Sequence, residues 1–396
     1  MHPRTWEASG HVSEFHDPLV DCKQCKARYR ADELIMNTED TDWDQIICPK
    51  CGTTGKMTSP RQFNLMFETH VGPVEESSSI AYLRPETAQG IYVNYQLIQG
   101  AMRLKIPFGI AQIGKAFRNE IVARNFIFRT REFEQMEMQY FVRPGSDNYA
   151  MKEWKDKRFR FYPDRLGIDE DKLRFHEHGP DELAHYAKEA WDIEYEFPFG
   201  WAEVEGVHNR TDFDLVRHEE FSGKNLKYFD QQINERFLPF IIETSAGLNR
   251  TLLAVLTNAY WEDTENNRTV MRFHPKIAPV KAVVCPLVKK DGLPEKARNI
   301  IDLLKPRYKV LYDQQGSIGK RYYRQDEAGT PFGITVDHQT IEDDTVTLRY
   351  RDTQHQDRVS TDKLLMAIDD NMTSVSYTHL RAHETRHDLV CRLLLE

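Results

Sequence analysis

Four of the six cysteines follow a pattern that is typical of metal ligands. They form two C-x2-C pairs, Cys22 with Cys25 and Cys48 with Cys51. Four thiolates at this spacing supply the tetrahedral site that Zn²⁺ prefers, and in a reducing compartment a structural zinc is favoured over two disulfides. The alternative is a chance pair of cysteine turns. A site closed by four protein ligands has no open position, so we expect it to stabilise an insert over residues 20–55 rather than to take part in catalysis.

The stretch FRNEIVARNFIFRTREFEQMEMQYF, residues 117–141, mixes arginine, glutamate and aromatic residues too regularly for an ordinary surface hairpin. If residues 126–142 form one strand, alternate side chains lie on opposite faces of it. Two arginines, an aromatic ring and a carboxylate on one face are costly to bury unless a ligand pairs with them. The pattern predicts an open site for a charged, planar molecule, with a salt-bridged solvent face as the alternative. The face in question carries Arg129, Arg131, Phe133, Gln135, Glu137 and Gln139.

Two further arginines are predicted to reach the same ligand. Arg118, with Glu120, precedes the strand and is expected on its neighbour, and arginine binds phosphate through two hydrogen bonds. Arg250 follows a small-residue turn at Gly247, where the backbone can approach a ligand, and it stands at the start of an apolar helix over residues 251–260. The alternative for Arg250 is a solvent-facing residue at an ordinary strand-helix junction.

Length and composition define the class of protein that must position these residues. A chain of 396 residues suggests two or three domains, and 40% hydrophobic with 29% charged residues is typical of a soluble globular protein. We see no apolar run long enough to span a membrane, and therefore expect a cytoplasmic protein. The net charge of -9 argues against non-specific coating of nucleic acid but leaves room for a local basic patch.

Periodicity divides the chain into two predicted folds. Residues 60–260 contain alternating segments and helical stretches such as 181–192, which predicts an antiparallel sheet with flanking helices, an α+β fold. After residues 275–279, strands and helices alternate, which predicts a separate small α/β domain with a partly parallel sheet. Its predicted strands are 281–288, 308–312, 332–336 and 345–350, and its predicted helices are 293–304, 318–327 and 361–368.

Several stretches of the sequence resemble those of bacterial homodimeric-type glycyl-tRNA synthetases of class II. Residues 117–120 through Phe133 are similar to class II motif 2, and residues 247–250 are similar to motif 3. The resemblance covers residues 2 to about 370. Other similar stretches are HPRTWEASGH at 2–11, RQFNLMF at 61–67, LRPETAQG at 83–90, FPFGWAEVEGVHNRTDFDL at 197–215 and GSIGKRYYRQDEAGTPF at 316–332.

The resemblance implies a fold and a reaction. It implies a class II catalytic domain over residues 1–275, with the four-cysteine insert at 20–55 and a helical insert at about 145–195, then a class IIa anticodon-binding domain over 276–370. The implied reaction is the ATP-dependent activation of glycine to glycyl-adenylate and transfer of the glycyl group to tRNA(Gly), with Mg²⁺ and a structural Zn²⁺. The family's oligomeric state is a homodimer.

By matching positions, the resemblance also assigns site residues. Arg118 and Arg250 are the predicted catalytic residues, holding the α- and γ-phosphates, and Mg²⁺ would bridge phosphates with help from Glu203 or Glu243. Glu120 would contact the adenine amino group and Phe133 would stack on adenine. The predicted ATP-binding residues are Arg118, Asn119, Glu120, Phe128, Arg129, Thr130, Arg131, Glu132, Phe133, Glu203, Val204, Gly247, Leu248, Asn249 and Arg250.

For glycine, the resemblance places Glu86, Glu137 and Glu243 around the ammonium group, Ser245 near the α-carbon and Arg210 near the carboxylate. Because glycine offers no side chain to bind, selection must come from gripping its ammonium and leaving no room at the α-carbon. The predicted glycine-binding residues are Arg28, Glu86, Phe133, Glu134, Gln135, Met136, Glu137, Arg210, Glu243, Thr244, Ser245, Ala246 and Gly247.

The sequence departs from the family pattern in three places. Thr244 and Asn249 replace the commoner proline and aspartate around motif 3. Met1 lies inside the pattern, so we expect a truncated chain without motif 1 and with doubtful dimerisation. Residues 371–396 are expected to be an unrelated, disordered tail. The tail contains His383-Glu-Thr-Arg-His387, a match to the H-E-x-x-H zinc-protease signature. We reject this reading because a metalloprotease needs a third ligand and a substrate cleft around that helix, and we expect this segment to lie beside no core.

Positive charge is concentrated in the predicted second domain, which suits an RNA backbone, with solvated helix faces as the alternative. Two rival functions are a non-catalytic nucleic-acid-binding relative and a sister synthetase for proline, threonine or histidine. The retained Arg118, Glu120 and Arg250 argue against the first, and the RPETAQG block with the four-cysteine insert favours glycine over the second. Amino-acid-dependent pyrophosphate exchange separates all three. The basic residues are Lys289, Lys290, Lys296, Arg298, Lys305, Arg307, Lys309, Lys320, Arg321 and Arg324.

Overall fold

A six-stranded antiparallel sheet is the largest element of the structure, a computed structural model that describes residues 1–34, 42–73, 79–180, 182–184 and 186–373. The helices are α1 Pro3–Ala8, α2 His11–Glu14, α3 Ala31–Leu34, α4 Ala88–Met102, α5 Asp147–Phe161, α6 Phe213–Ser222, α7 Leu248–Ala259, α8 Leu293–Leu304, α9 Ile318–Glu327, α10 His338–Asp343 and α11 Leu364–Thr373. A π-helical turn spans Tyr162–Leu166, and 3₁₀ turns span Glu170–Lys172 and Thr361–Lys363.

The strands before residue 282 are β1 His16–Asp21, β2 Arg28–Arg30, β3 Arg61–Asn64, β4 Glu68–His70, β5 Ile80–Tyr82, β6 Phe108–Phe117, β7 Glu132–Val142, β8 Leu173–Glu177, β9 Glu189–Phe197, β10 Gly200–Thr211, β11 Tyr228–Asp230, β12 Glu235–Phe237, β13 Phe240–Gly247, β14 Tyr260–Asp263 and β15 Arg268–Met271. The later strands are β16 Ala282–Pro286, β17 Val310–Tyr312, β18 Phe332–Val336, β19 Thr345–Tyr350 and β20 Gln356–Ser360.

The six-stranded sheet has the order β6-β7-β13-β10-β9-β8. On its site face, Glu137 on β7 lies opposite Ser245 on β13, and Gln139 lies opposite Glu243. At the end of this face nearest α4, Phe141 packs in an apolar cluster with Tyr92 and Tyr95 of that helix. Since side chains alternate along a strand, the other face carries Ile242 and Val207, which pack against α5, while Val204 packs against α7. The polar residues therefore lie beyond the end of the sheet that α4 covers, on the face opposite α5 and α7.

A β-bulge in β10 changes which side chains reach the site face. The register against β9 shifts between Glu203 and Glu205, so Val204 is the extra residue. Without this insertion, strict alternation would put Glu203 and Gly206 on opposite faces. With it, both Glu203 and His208 lie on the site face, while Glu205 is buried on the other face, where it pairs with Arg158.

The second fold is a five-stranded mixed sheet of order β17-β16-β18-β19-β20, with β16 parallel to both β17 and β18. Its core includes Val284, Phe332 and Ile334 from the sheet with Ile300 and Leu364 from the helices. The predicted helices 293–304 and 318–327 and strands 332–336 and 345–350 are confirmed with those bounds. The α10 helix and strand β20 were not predicted.

Several predictions of secondary structure are wrong. Arg118 and Glu120, expected on the strand next to β7, lie in the loop after β6, which ends at Phe117. The helix predicted over 361–368 starts as a 3₁₀ turn, and α11 runs from Leu364 to Thr373. The strand predicted from residue 126 begins at Glu132, because Asn125 and Phe126 both have positive φ angles, 56° and 55°, and turn the chain before it. The helix predicted over 181–192 is not formed by the described residues there, since β9 begins at Glu189 and pairs with β10. The insert predicted as helical at 145–195 thus contains α5 but also β8 and most of β9.

Smaller sheets complete the first part of the chain: β2-β1-β3 around the cysteines, β4-β5, β11-β12 and β14-β15. The tail predicted over residues 371–396 begins too early, because residues 371–373 are the last residues of α11 rather than disordered. The rest of it, with the H-E-x-x-H sequence, lies outside the described residues. None of the helices that the structure describes is long and apolar enough to cross a membrane.

Candidate active site

A cleft of about 250 Å³ opens on the site face of the six-stranded sheet. Its walls come from β7, β10 and β13, from the loop between β6 and β7, and from the segment between β8 and β9. Of the predicted site residues, the structure brings the following to the cleft wall: Glu86, Arg118, Glu120, Phe128, Arg129, Thr130, Phe133, Gln135, Glu137, Glu203, Glu243, Ser245, Gly247, Asn249 and Arg250.

Three carboxylates share the buried part of the cleft. Glu86, Glu137 and Glu243 have exposed fractions of 6%, 3% and 2%. Buried carboxylates are stable only where hydrogen bonds or opposite charges support them, and three close together also repel one another. The site therefore holds an excess of negative charge that a small cation can offset.

Glu137 is supported by hydrogen bonds rather than by an ion pair. Its Oε2 accepts the backbone N–H of Thr87 at 2.7 Å and the Thr87 hydroxyl, while its Oε1 accepts Nε2 of Gln135 at 2.9 Å and the hydroxyl of Ser245 at 3.1 Å. Burial, with the charges of Glu243 and Glu86, raises the pKa of Glu137 to about 8, although the Thr87 hydrogen bonds oppose this. Glu137 is thus the carboxylate with most to gain from a cationic ligand.

Arg210 supports the carboxylates of Glu86 and Glu243. Its Nη1 lies 3.1 Å from Oε2 of Glu243, its Nη2 lies 3.9 Å from Oε1 of Glu86, and its Nε donates to Asp214 at 2.7 Å. The ring of Tyr186 covers the guanidinium at 3.7 Å. Arg210 was predicted near the glycine carboxylate, but it does not line the cleft, because these acids occupy its donors.

Histidines complete the support of these two carboxylates. Nδ1 of His208 lies 2.8 Å from Oε1 of Glu243, and Nε2 of His11 lies 3.5 Å from Oε2 of Glu86. Burial acts to raise the pKa of both carboxyls, but the opposite charges outweigh it and lower both: His11 and Arg210 for Glu86, Arg210 and His208 for Glu243. Both groups are therefore held in their ionised form.

Arg118 is held between two aromatic rings at the other end of the cleft. Its guanidinium carbon lies 5.4 Å from the centroid of Phe133 and 5.5 Å from that of Phe15, and its Nε donates to the carbonyl of Pro85 at 3.2 Å. These contacts fix the arginine before any ligand binds, which lowers the entropic cost of using its remaining donors.

Arg250 is fixed at the start of α7. Its Nη1 donates to Oε2 of Glu203 at 2.8 Å and to the Glu203 carbonyl at 3.1 Å, and its Nε donates to the carbonyl of Phe128 at 3.2 Å. The guanidinium carbon is 4.4 Å from the centroid of the Phe128 ring. The β10 bulge is what brings Glu203 to this arginine, so strand irregularity and the charged pair act together.

The loop between β6 and β7 is pinned at its base. The N–H of Arg118 donates to the carbonyl of Arg131 at 3.0 Å, and the N–H of Asn119 donates to the carbonyl of Leu65 at 2.8 Å. Arg131 returns a bond from Nε to the carbonyl of Glu120 at 3.1 Å. Asn119 and Arg131 therefore support the loop, while Glu120 faces the cleft.

Several predicted site residues lie away from the cleft wall. Arg28 sits on β2, where its side chain is 55% exposed and pairs with Asp21 at 3.0 Å. Val204 is buried among apolar residues that include Leu253. Glu132 is exposed and pairs with Lys115. By register, Met136, Thr244 and Ala246 belong to the face opposite Glu137 and Ser245, and Glu134 and Leu248 do not line the cleft either.

The structure adds residues that sequence reasoning missed. His178, Asp192 and His208 line the cleft, and Nε2 of His178 lies 2.9 Å from Oδ2 of Asp192. Burial and the charge of Glu203 raise the pKa of Asp192 to about 6. His176 and His178 are two positions apart, which is the spacing of residues on one face of a strand. A single sequence does not show, however, that β8, β9 and β10 are neighbours in the sheet. Thr87 acts by donating to Glu137, and it leaves no pattern in the sequence.

The four cysteines converge as predicted. Their Sγ atoms all lie within 4.8 Å of one another, with Cys22 and Cys51 3.8 Å apart and Cys25 and Cys48 3.7 Å apart. Zn–S bonds of about 2.3 Å in a tetrahedron place sulfur atoms about 3.8 Å apart. The hydroxyl of Tyr29, 3.5 Å from Cys48, is the main cause that lowers the pKa of Cys48 to about 6, which favours the thiolate. The cluster can hold a metal ion.

The basic residues of the second fold are not equivalent. Arg321 is buried and donates to the carbonyls of Pro286 and Gly316, so it supports the fold. Arg324 pairs with Asp313 at 2.6 Å and Arg307 with Asp369 at 2.7 Å. The following also lie on the surface and carry exposed side chains: Lys289, Lys290, Arg298, Lys309 and Lys320.

Comparison with known families agrees with this architecture. Residues 71–259 match the family described as the tRNA synthetase class II core domain (G, H, P, S and T), and residues 281–371 match the anticodon binding domain family. The fold and the site together define a class II aminoacyl-tRNA synthetase, with an α+β core followed by an anticodon-binding domain.

Individual relatives narrow the class. The glycine–tRNA ligase of Treponema denticola is 57% identical over 387 residues, which cover 96% of this chain and 84% of that protein. Those of Chlorobaculum tepidum and Thermobifida fusca are each 50% identical, over 92% and 91% of this chain and 84% and 81% of their own lengths. The chain belongs to the glycine–tRNA ligase family.

Proposed function

We propose that this chain activates glycine with ATP and transfers the glycyl group to tRNA(Gly) in the cytoplasm. The observation that carries the proposal is the buried group of Glu86, Glu137 and Glu243 in the same cleft as two fixed arginines. Glycine brings an ammonium group, which suits the carboxylates, and ATP brings phosphates, which suit the arginines. The homodimer implied by the family resemblance stays a prediction.

Activation needs positioning and charge neutralisation. A carboxylate oxygen of glycine attacks the α-phosphorus of ATP, and pyrophosphate leaves. Arg118 and Arg250 are already fixed by aromatic rings and carbonyls, so they can stabilise the developing charge without reorganising. Phe133 and Glu120 suit the adenine. Mg²⁺ on the phosphates would supply further neutralisation, and Glu203 suits it better than Glu243, whose oxygens accept from Arg210, His208 and Gln139.

Selection for glycine must act at the α-carbon. Alanine carries the same ammonium and carboxylate groups, so the carboxylates alone cannot separate the two amino acids. The hydroxyl of Ser245 is held between Glu137 and Nε2 of Gln135, which lies 2.9 Å from it. A wall fixed by two hydrogen bonds cannot withdraw to admit a methyl group without breaking one of them.

Arg210 has a different role in this proposal from the one the sequence suggested. It is buried and bonded to Asp214 and Glu243, so it holds the carboxylates in their ionised form and orientation. The carboxylate of glycine is then left to Arg118, which faces the cleft.

Pyrophosphate exchange tests the proposal directly. With the chain as it stands, we expect exchange that depends on glycine and responds little to alanine, serine, proline or threonine. Exchange with proline or threonine at the glycine rate would identify a different synthetase. Binding of tRNA with no exchange for any of these amino acids would identify a non-catalytic relative, and either result would refute the proposed function.

A further inference from the structure

A buried ion-pair network joins the β14-β15 hairpin to the anticodon-binding domain. Arg268 on β15 donates from Nε to Asp263 at 2.7 Å and from Nη1 to Asp326 of α9 at 2.6 Å. Asp326 also accepts from both Nη atoms of Arg349 on β19, at 2.8 and 2.9 Å. All four side chains are at least nine-tenths buried. Asp326 thus joins an arginine from one part of the chain to an arginine from the other.

Further contacts fix the connection between the two parts. Nη1 of Arg268 donates to the carbonyl of Arg351 at 3.1 Å, and Nη2 of Arg351 donates to the carbonyl of Phe273 at 2.9 Å. Nζ of Lys281 donates to the carbonyls of Pro275, Lys276 and Ala278 at 2.7 to 2.9 Å. The connecting residues are therefore bonded along their length rather than left as a free linker.

The ion-pair network around Arg268 constrains direction, and breaking it costs free energy. A guanidinium makes hydrogen bonds only in its own plane, so Arg268, shared between Asp263 and Asp326, fixes the angle of the hairpin to α9. Removing one partner of a buried pair leaves an uncompensated charge, so any other angle between the two parts must break the network.

We propose that Arg268 is a positioning residue for the transfer step, because it sets the orientation of the anticodon-binding domain relative to the cleft. The inference rests on the proposed function. Glycine and ATP both bind within the cleft, so activation does not use this orientation. Transfer does use it, because one tRNA molecule must contact the second domain while its acceptor end reaches the cleft.

The test is Arg268→Gln in the full chain, measured in two reactions. We expect glycine-dependent pyrophosphate exchange to stay within about two-fold, while kcat/KM for tRNA in aminoacylation falls by about ten- to a hundred-fold, as misplacement of a substrate does. Arg268→Lys keeps the charge but loses the planar pair of bonds, so we expect an intermediate loss in aminoacylation only. If Arg268→Gln does not fold, the comparison of exchange with aminoacylation is made in Arg268→Lys instead.

A matched control is Arg160→Gln on α5, which removes an exposed ion pair with Glu170 of the following 3₁₀ turn. We expect both reactions to be unchanged in this variant. Unchanged aminoacylation in Arg268→Gln and Arg268→Lys would overturn the inference, and so would an equal loss of exchange and aminoacylation. Absence of glycine-dependent exchange in the unaltered chain would instead refute the proposed function.

Discussion

At the scale of single residues, the carboxylates in the cleft differ in how they are supported. Glu86 and Glu243 lie beside Arg210 and histidines, whereas Glu137 has four uncharged hydrogen-bond donors. The pKa of Glu137 is accordingly raised to about 8, while those of the other two are lowered. The same cluster thus holds two fixed charges and one that can change with pH.

This difference predicts how pH affects glycine use. The free protein keeps a proton on Glu137 below its raised pKa, and the ammonium of glycine needs the ionised form. We therefore expect KM for glycine in pyrophosphate exchange to fall as pH rises through about 8. Glu137→Gln should lose this pH dependence and lower kcat/KM for glycine by about ten- to a hundred-fold, the cost of one hydrogen bond to a charged group, with little change in KM for ATP.

The free energy of unfolding should also depend on the protonation of Glu137, but it should fall as pH rises. Because its folded-state pKa is raised, Glu137 contributes to the free energy of unfolding below its usual pKa of 4.5, and this contribution is lost as pH rises through about 8. Urea unfolding of Glu137→Gln should therefore depend less on pH across that window. An unchanged pH profile for both KM and unfolding would contradict the raised pKa.

At the scale of elements, the four-cysteine insert has a core of its own. Val20, Ala31 and Met57 pack with the cysteines, and Tyr29 and Trp43 are partly buried against them. A core this small rarely holds a fold without a metal or a disulfide. Zinc is thus expected to be part of what folds the insert.

Zinc content and stability test this directly. We expect one zinc per chain in freshly purified, reduced protein, and Cys48→Ala should lose the zinc and unfold the insert at lower temperature. Cys285→Ala is the matched control, since Cys285 is buried in β16 away from the cluster. Elemental analysis together with thermal unfolding measures both effects. Zinc retained by Cys48→Ala, or absent from the unaltered protein, would count against the site.

Element prediction succeeded where local pattern and tertiary structure agree. Helix α8 has a Gly-Pro start and a clear apolar stripe, and its bounds were predicted as found. The strand predicted from residue 126 failed because the left-handed turn at Asn125 and Phe126 has no glycine to mark it. The helix predicted over 181–192 failed because pairing of β9 with β10 overrides the local preference.

The candidate site shows the same limit. Arg118, Glu137 and Arg250 were predicted because they fall in recognisable motifs, and they line the cleft. Thr87 and His208 were not predicted, because each acts by bonding to another side chain that is distant in sequence. Arg210 was predicted to bind the carboxylate of glycine, but it binds Glu243 and Asp214 instead. The pairing with Glu243 depends on the register between β10 and β13, which cannot be obtained from one strand alone.

At the scale of the whole molecule, a chain with a net charge of -9 must bind RNA through a local patch. Lys289 and Lys290 follow β16, and Lys320 is in the first turn of α9, so all three lie where parallel strands β16 and β17 end and α9 begins. Their side chains are exposed, unlike that of Arg321.

Charge removal at this edge should weaken tRNA binding alone. We expect the double variant Lys289→Gln, Lys290→Gln to raise KM for tRNA and to reduce its dependence on salt, because fewer counterions are released on binding. Glycine-dependent exchange should not change. Lys172→Gln, at an ion pair with Asp169 in the catalytic part, serves as the control. An unchanged KM for tRNA over a range of salt concentrations would place the RNA elsewhere.

The order of strands in the large sheet has a consequence for synthesis on the ribosome. Strand β13 lies between β7 and β10, yet it is made after both of them. Until residues 240–247 emerge, β7 and β10 each present an unpaired edge, and Glu137 has no Ser245 beside it. The growing chain is therefore most exposed to mispairing with other nascent chains just before β13 appears, and chaperone contact is most useful in that interval.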